Sequence, residues 1–250
     1  MKNKALLVGI NKYPDPRNEL RGCINDILDM EHFIAETNKV YAKQNIKKLT
    51  DRQATKKEIV AFEKQDSIAM PAKGMKLFIG SSSFRLWKNF DADMKGMNAL
   101  NRGFGGSTLK EALYYFDRMV VKYQPSWVFM YEGDNDLAGG QSPEEISKQF
   151  EEFSARLAKQ VPKAKLVFVS ARPSLARESM KAKQQDLNQR IVDIAAKKKG
   201  HYVIDMHSPF YNADGTLMQD IFVADRLHLN EKGYVIFAKQ IQNFIQKYAK

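Results

Sequence analysis

The chain has 250 residues, enough for one large domain or for one domain with an appendage. Its 44% apolar and 28% charged residues are ordinary for a globular protein, and 40 Lys+Arg against 29 Asp+Glu give a net charge of +11. The single cysteine, Cys23, excludes an internal disulfide framework and any multi-cysteine metal site.

Targeting and partner signals are equally sparse. No apolar run approaches the ~18 residues of a membrane span, and no aromatic-interleaved basic stripe accompanies the charge. We therefore expect no membrane span and no nucleic-acid partner, while the oligomeric state stays unknown. The first apolar run is too short for a signal peptide, which favours a cytoplasmic protein, although an exported parent trimmed for expression would look the same.

Residues 1–57 are predicted to form a unit of their own. Residues 5–9 and 46–49 have the pattern of strands, and residues 24–35 have the pattern of a helix between them. One such βαβ unit cannot bury both of its faces alone, so it must pack on the larger domain or on a partner. We place the domain boundary after residue 57.

Residues 58–250 alternate short apolar runs with segments of helical period, which is typical of a parallel α/β domain. Five strands are predicted, over residues 75–79, 99–102, 127–131, 166–170 and 202–204. Helices are predicted over residues 108–122, 143–160, 177–199 and 230–248. The second helix has a clear start, with Ser142 as N-cap, Pro143 at the first position and Glu145 three residues after the cap.

A serine-rich turn, Gly80-Ser81-Ser82-Ser83, follows the first predicted strand of this domain. Residues just beyond the carboxyl ends of parallel strands line the ligand crevice, so Ser82 is a candidate nucleophile. Taken alone, the segment is better explained as an ordinary turn.

Two more polar turns follow the next two strands. Gly105 and Gly106 lie in a glycine-rich turn whose backbone N–H groups could stabilise an oxyanion, and Asn135 could supply an amide donor for the same charge. Either turn can also be explained by backbone geometry alone, through positive φ at glycine or an Asx turn.

Asp225 and His228 lie three residues apart, just before the last predicted helix. This separation lets the carboxylate accept a hydrogen bond from imidazole Nδ1 and leaves Nε2 free to take a serine proton. Each of these four segments is weak evidence by itself, but their order along the predicted sheet favours a serine hydrolase.

These four blocks resemble those of the SGNH, or GDSL, hydrolases over about residues 59–248. The resemblance implies a three-layer α/β/α sandwich around a five-stranded parallel sheet, with a catalytic triad of Ser82, Asp225 and His228. It also implies an oxyanion hole formed by the backbone N–H groups of Ser82 and Gly106 and the side chain of Asn135. Members of this family cleave carboxylic esters, often of small acyl groups, without a metal or organic cofactor.

One position departs from the usual first block of that family, Gly-Asp-Ser. Ser81 stands in the aspartate position, which removes a charge and leaves three consecutive serines as candidates for the nucleophile. The variant resembles a branch with a Gly-Ser-Ser-Ser block followed by an arginine and a tryptophan, here Arg85 and Trp87. Register favours Ser82.

Residues 1–57 resemble the start of a caspase-like (metacaspase) domain, through Ala5-Leu6-Leu7-Val8-Gly9 and Arg21-Gly22-Cys23-Ile24-Asn25-Asp26. The catalytic Gly-His-Gly and Asp-x-Cys segments of that family do not occur in this sequence. The junction near residues 57–60 is compatible with a natural fusion, an engineered chimera or an assembly artefact.

The sequence thus predicts an ester hydrolase that acts on a small-molecule ester through an acyl-enzyme. Four arginines are expected near the crevice rim, where solvated side chains are a better explanation than selection of an anionic substrate: Arg85, Arg102, Arg172 and Arg226. The alternative is a binding or docking module with a vestigial hydrolase site, in which the caspase-like segment is the interaction surface.

Overall fold

The computed structural model describes residues 5–8, 46–49 and 52–249, with side chains described from residue 56 onward. Contacts within the chain define two compact units, Met1–Ala61 and Phe62–Lys250. In the first unit, strands β1 (Ala5–Val8) and β2 (Ile46–Leu49) pair in parallel, as predicted. The helix predicted over residues 24–35 lies outside the described residues. The domain boundary predicted after residue 57 falls within helix α1 (Arg52–Ile68) and stays a prediction.

The second unit is built on a five-stranded parallel sheet, which confirms the predicted fold class. The strands are β3 (Lys76–Gly80), β4 (Ala99–Gly103), β5 (Trp127–Tyr131), β6 (Lys165–Val169) and β7 (His201–Ile204). Each lies within one residue of its predicted bounds. The strand order β4-β3-β5-β6-β7 reverses direction at β3, and such reversals create a crevice at the carboxyl ends of the strands.

Helices and short turns connect these strands. The α-helices are α2 (Ser82–Arg85), α3 (Phe90–Asp93), α4 (Leu109–Tyr114), α5 (Phe116–Met119), α6 (Asp134–Ala138), α7 (Pro143–Gln160), α8 (Lys181–Ala196) and α9 (Glu231–Tyr248). Three 3₁₀ turns cover Val121–Tyr123, Leu175–Met180 and Ser208–Phe210. None of the described helices is long and apolar enough to cross a bilayer.

Apolar side chains cover both faces of the sheet. On one face, the ring of Phe129 lies 5.8 Å from that of Phe244 on α9 and stacks on Phe78 at 4.5 Å. On the other face, Phe168 contacts Phe150 of α7, with ring centroids 5.5 Å apart. Every residue of β5 is buried, as expected for a central parallel strand between two layers of helices.

Two helix predictions were wrong in extent. The helix predicted over residues 108–122 is divided at Tyr115 (ψ 12°) and continues as α5 and a 3₁₀ turn. The helix predicted over residues 177–199 begins only at Lys181, because Arg177 (φ −123°, ψ 24°) leaves helical geometry within the preceding 3₁₀ turn. Apolar residues nevertheless recur at helical spacing along the first of these segments, and all four are buried: Leu109, Leu113, Phe116 and Val120.

Helix α1 was not predicted from the sequence. Its carboxyl-terminal part is held by charges: Asp66 accepts from Arg102 at 2.5 Å, from Lys122 at 2.7 Å and from the hydroxyl of Tyr123 at 2.6 Å. Burial alone would raise the pKa of Asp66, but these hydrogen bonds outweigh it and hold the pKa below its usual value. A helix held by ion pairs in this way lacks the regular recurrence of apolar residues every three to four positions by which a helix is recognised in a sequence.

Candidate active site

Three neighbouring strands end at the same level and carry the loops of the site. Gly80 of β3 lies opposite Gly103 of β4 on one side and Tyr131 of β5 on the other. A side chain at Gly80 is excluded, because its φ is +137° and a Cβ there would lie 2.2 Å from the carbonyl oxygen of Tyr131. The N–H of Ser81 donates to that same carbonyl at 3.0 Å. The chain can therefore turn directly from β3 into helix α2.

Of the three consecutive serines, only Ser82 is partly exposed. Ser81 and Ser83 are buried, with 4% and 3% of their surface accessible. Helix α2, which begins at Ser82, is anchored from two sides. Asn101 Nδ2 donates to the backbone carbonyl of Phe84 at 2.8 Å, and the hydroxyl of Tyr234 donates to the backbone carbonyl of Ser83 at 3.0 Å. These contacts fix the helix whose first residue is Ser82.

A chain of hydrogen bonds joins Ser82 to His228 and Asp225. The Ser82 hydroxyl lies 2.9 Å from Nε2 of His228, and Nδ1 of the same ring lies 2.6 Å from Oδ2 of Asp225. Oδ1 of Asp225 accepts from the backbone N–H groups of Leu227 at 2.8 Å and His228 at 2.9 Å. The three-residue spacing thus forms a tight loop, with Arg226 at φ +59° between the two side chains.

Electrostatics keep Asp225 ionised in this loop. Burial alone would raise its pKa, but the hydrogen bonds from the His228 ring and from the two backbone N–H groups outweigh burial and lower it. A carboxylate at Nδ1 orients the ring and holds the tautomer in which Nε2 can accept a proton.

The glycine loop after β4 lies next to the start of α2. The N–H of Phe104 donates to the carbonyl of Gly80 at 2.8 Å, and a Cβ at Gly103 would lie 2.5 Å from the backbone nitrogen of Arg85. Gly106 follows with φ +70°, a conformation that favours glycine. The loop therefore brings backbone close to the Ser82 helix.

Asn135 lies at the start of α6, after β5. Its Nδ2 donates to the carbonyl of Ser107 at 3.0 Å, and its Oδ1 accepts from a guanidinium N–H of Arg177 at 2.9 Å. The amide thus contacts the residue that follows Gly106. Gly133, just before it, has φ +103°, and a Cβ there would lie 2.6 Å from Leu187.

Two buried carboxyl groups that the sequence did not single out support these loops. Asp136 accepts from the N–H of Leu109 at 2.9 Å and from that of Gly133 at 3.0 Å, so it ties the glycine loop to the Asn135 loop. Glu132 accepts from the hydroxyl of Ser107 at 2.7 Å. Burial raises the pKa of Asp136 to about 6 and raises the pKa of Glu132 well above its usual value.

Residues 172–177, which follow β6, form hydrogen bonds both to the loop that carries Asp225 and His228 and to Asn135; we call them the bridging segment. Arg172 Nη2 donates to the backbone carbonyl of Leu227 at 2.8 Å, and the N–H of Ala176 donates to the backbone carbonyl of Arg226 at 3.0 Å. Arg177 donates to Asn135 as above. No motif in the sequence marked these contacts, because they join positions that are far apart along the chain.

The prediction that four arginines are solvated at the crevice rim was wrong for two of them. Arg85 and Arg226 are exposed, but Arg102 and Arg172 are buried, with 7% and 3% of their surface accessible. Arg102 is paired with Asp66 and Arg172 is bonded to the backbone, so neither is a solvated side chain.

A second serine–histidine pair differs from the first. Ser154 lies 2.7 Å from Nε2 of His201, but the other ring nitrogen faces the carbonyl of Lys199 at 3.3 Å and not a carboxylate. Burial lowers the pKa of His201. Among residues 56–249, no cluster of three or more His, Cys, Asp or Glu side chains is suited to hold a metal ion.

Comparison with known proteins gives two results for two parts of the chain. Residues 3–77 match the model of the metacaspase, peptidase C14 domain. Metacaspase-1 of Candida albicans is 47% identical over 58 residues, which are 23% of this chain and 12% of that protein. The chain thus spans about an eighth of the length of the curated relatives that it matches.

Solved structures resemble the larger part. A GDSL-like lipase from Bacteroides thetaiotaomicron has a TM-score of 0.65 at 22% identity, covering 76% of this chain and 97% of that one. An acetylxylan esterase from Geobacillus stearothermophilus has a TM-score of 0.56 at 15% identity, covering 70% and 95%. At these identities the structures show a shared fold.

The family model of the GDSL-like lipase/acylhydrolases matches residues 66–236, more than two thirds of the chain. The match contains the ends of β3, β4 and β5 and the loop of Asp225 and His228. The chain therefore belongs to the GDSL-like lipase/acylhydrolase family.

Proposed function

We propose that the chain is a carboxylic ester hydrolase and that Ser82, His228 and Asp225 are its catalytic triad. One observation carries the proposal: Ser82 Oγ, His228 Nε2 and Nδ1, and Asp225 Oδ2 form one hydrogen-bonded chain with steps of 2.9 and 2.6 Å. The partial exposure of Ser82, between two buried serines, supports its assignment as the nucleophile.

In the first step, Ser82 Oγ attacks the ester carbonyl carbon while its proton passes to His228 Nε2. The tetrahedral intermediate collapses as the bond to the alcohol oxygen breaks, and His228 returns the proton to the departing alcohol. Water then attacks the acyl-enzyme with His228 again as base, which releases the carboxylic acid and restores Ser82. Asp225 orients the ring and stabilises the imidazolium in both steps.

We propose that three donors hold the oxyanion: the backbone N–H groups of Ser82 and Gly106 and the side chain of Asn135. The N–H of Ser82 belongs to the first residue of a helix and has no partner within that helix. The close approach of the glycine loop to α2, and the contact of Asn135 with Ser107, support the other two.

We propose small acyl groups as the substrate class, in line with the acetyl ester for which the structurally similar Geobacillus enzyme is named. The test is hydrolysis of p-nitrophenyl acetate, butyrate and octanoate by the full chain. Ser82→Ala should lower kcat by at least about 10³-fold with an unchanged melting temperature, because the triad acts as a unit. Ser81→Ala and Ser83→Ala are the matched controls and should retain most of the activity.

A dead Ser83→Ala variant beside an active Ser82→Ala variant would refute the assignment of the nucleophile. If the wild-type chain hydrolysed none of the three esters, the alternative of a docking module with a vestigial site would replace the proposal. A rate that rose with acyl length would refute the substrate class alone.

We propose no peptidase activity for the segment that resembles metacaspases. The similarity covers 12% of the Candida relative, and neither Gly-His-Gly nor Asp-x-Cys occurs in the sequence. Cys23→Ser should therefore leave ester hydrolysis unchanged, and the wild-type chain should not cleave peptides after basic or acidic residues.

A further inference from the structure

The amide of Asn135 is held in one of its two possible orientations. Its Oδ1 faces a guanidinium N–H of Arg177 at 2.9 Å, and its Nδ2 faces the carbonyl oxygen of Ser107 at 3.0 Å. A flipped amide would place two donors opposite each other at Arg177 and two acceptors opposite each other at Ser107. Only the observed orientation satisfies both neighbours, and it leaves one Nδ2–H without a role in these two bonds.

Arg177 is itself aimed by a charge. It forms an ion pair with Asp134, in which 14% of the arginine side chain and 8% of the aspartate side chain are exposed. The other carboxylate oxygen of Asp134 accepts from Nε2 of Gln184 at 2.8 Å. Asp134 thus neutralises the guanidinium and fixes its fork, so that the second N–H group of the fork points at Asn135.

The backbone of Arg177 is adapted to this contact. Its φ of −123° and ψ of 24° interrupt the turn Leu175–Met180, and the N–H of the preceding Ala176 is bonded to the carbonyl of Arg226. The residue that holds Asn135 is therefore tethered, one position away, to the loop that carries Asp225 and His228.

We propose that Arg177 is a positioning residue that orients Asn135 as an oxyanion donor, an inference that rests on the proposed ester hydrolysis. Arg177 acts by fixing the amide, which leaves the free Nδ2–H for the substrate oxygen. Its charged donor on Oδ1 also polarises the amide and makes the Nδ2–H a stronger donor. A salt bridge of purely structural value would stabilise the fold without this effect on the reaction.

The experiment is a double-mutant cycle on the full chain with p-nitrophenyl acetate, combined with melting temperatures. Asn135→Ala should lower kcat by about 10²–10³-fold, and Arg177→Met should lower it by about 10–10²-fold, with KM nearly unchanged in both. The double variant should be no slower than Asn135→Ala by more than about 3-fold, because Arg177 acts only through Asn135. Arg190→Met, which removes an exposed arginine paired with Asp186 on α8, is the matched control and should keep full activity.

Arg177→Lys separates positioning from structural support, also in the event that Arg177→Met fails to fold. A lysine can keep the charge and the pairing with Asp134, but it lacks the planar fork that reaches both partners. We expect it to melt close to the wild type while losing kcat nearly as much as Arg177→Met.

Two results would overturn the inference. The first is a loss of kcat in the double variant equal to the product of the losses in Asn135→Ala and Arg177→Met, and the second is an Arg177→Lys variant with wild-type kcat. Both results are measured on a wild-type chain whose ester hydrolysis has first been shown to depend on Ser82. A wild-type chain without Ser82-dependent hydrolysis would instead overturn the proposed function, so the two failures are distinguishable.

Discussion

Asp136 offers a direct measurement of the cost of placing a carboxyl group beneath the site. Its side chain is fully buried and accepts two backbone N–H groups, which favour the carboxylate, yet burial prevails and raises the pKa to about 6. In the unfolded chain the same group titrates near its ordinary value of 3.8. Between these two values the folded protein retains a proton that the unfolded chain has lost, so stability must fall as pH rises through this window.

The magnitude follows from the two pKa values. The difference between about 6 and 3.8 corresponds to about 3 kcal/mol at ~1.36 kcal/mol for each tenfold change in proton affinity, and about 2 kcal/mol of it should be lost between pH 4 and pH 7. Glu132 would complicate this measurement, because its own raised pKa depends in part on the charge of Asp136. The perturbation is therefore Asp136→Asn in a Glu132→Gln background, where an amide oxygen still accepts from Ser107.

The assay is urea unfolding of the single and double variants at pH 4, 5, 6 and 7. Asn at position 136 satisfies one of the two N–H groups and turns its own N–H₂ toward the other, which costs about 1–3 kcal/mol at every pH. In addition to this constant cost, the stability advantage of the Glu132→Gln protein, which keeps Asp136, over the double variant should shrink by about 2 kcal/mol from pH 4 to pH 7. If this stability advantage grew with pH, the two N–H hydrogen bonds would outweigh burial in setting the pKa of Asp136. If it did not change with pH, the two effects would cancel. Either result refutes the reasoning.

Three further perturbations test the fold and the division of the chain. Gly80→Ala should prevent folding or cost more than about 3 kcal/mol, since its Cβ would lie 2.2 Å from the Tyr131 carbonyl oxygen at a positive φ, and a soluble variant with a wild-type melting temperature would contradict this. Asp66→Ala should cost about 3–5 kcal/mol in urea unfolding, because it leaves Arg102 buried without its carboxylate; a loss below about 1 kcal/mol would show that water reaches the guanidinium. A chain that starts at Lys57 should keep the kcat/KM of the full chain on p-nitrophenyl acetate, and a folded but inactive truncation would mean that the segment before Lys57 completes the site.

The sheet and the proposed catalytic residues could be predicted because both leave a local signal. Strands such as Trp127–Tyr131 are buried on both faces and read as unbroken apolar runs. Asp225 and His228 are three residues apart, so a single turn brings them together, and Ser82 directly follows a strand end. A parallel sheet then gathers its strand ends at one edge, which converts order along the chain into proximity.

The supporting contacts could not be predicted, because they join distant positions without a pattern. Arg177 reaches Asn135 across 42 residues, and Asp66 reaches Arg102 across 36. Helix α1 escaped prediction because charges hold its carboxyl-terminal part. The division at Tyr115 was also invisible, because the apolar spacing continues on the same face through a single residue that leaves helical geometry.

The position of Asp66 has a consequence for how this catalytic module can be exchanged between proteins. The family match begins at this residue, but the helix that carries it starts at Arg52. A transplant cut at the start of the family match would retain the carboxylate as its first residue and discard the helical turns that present it to Arg102. The module that can be moved intact is therefore longer at its amino-terminal end than the shared family sequence, by about the length of one helix.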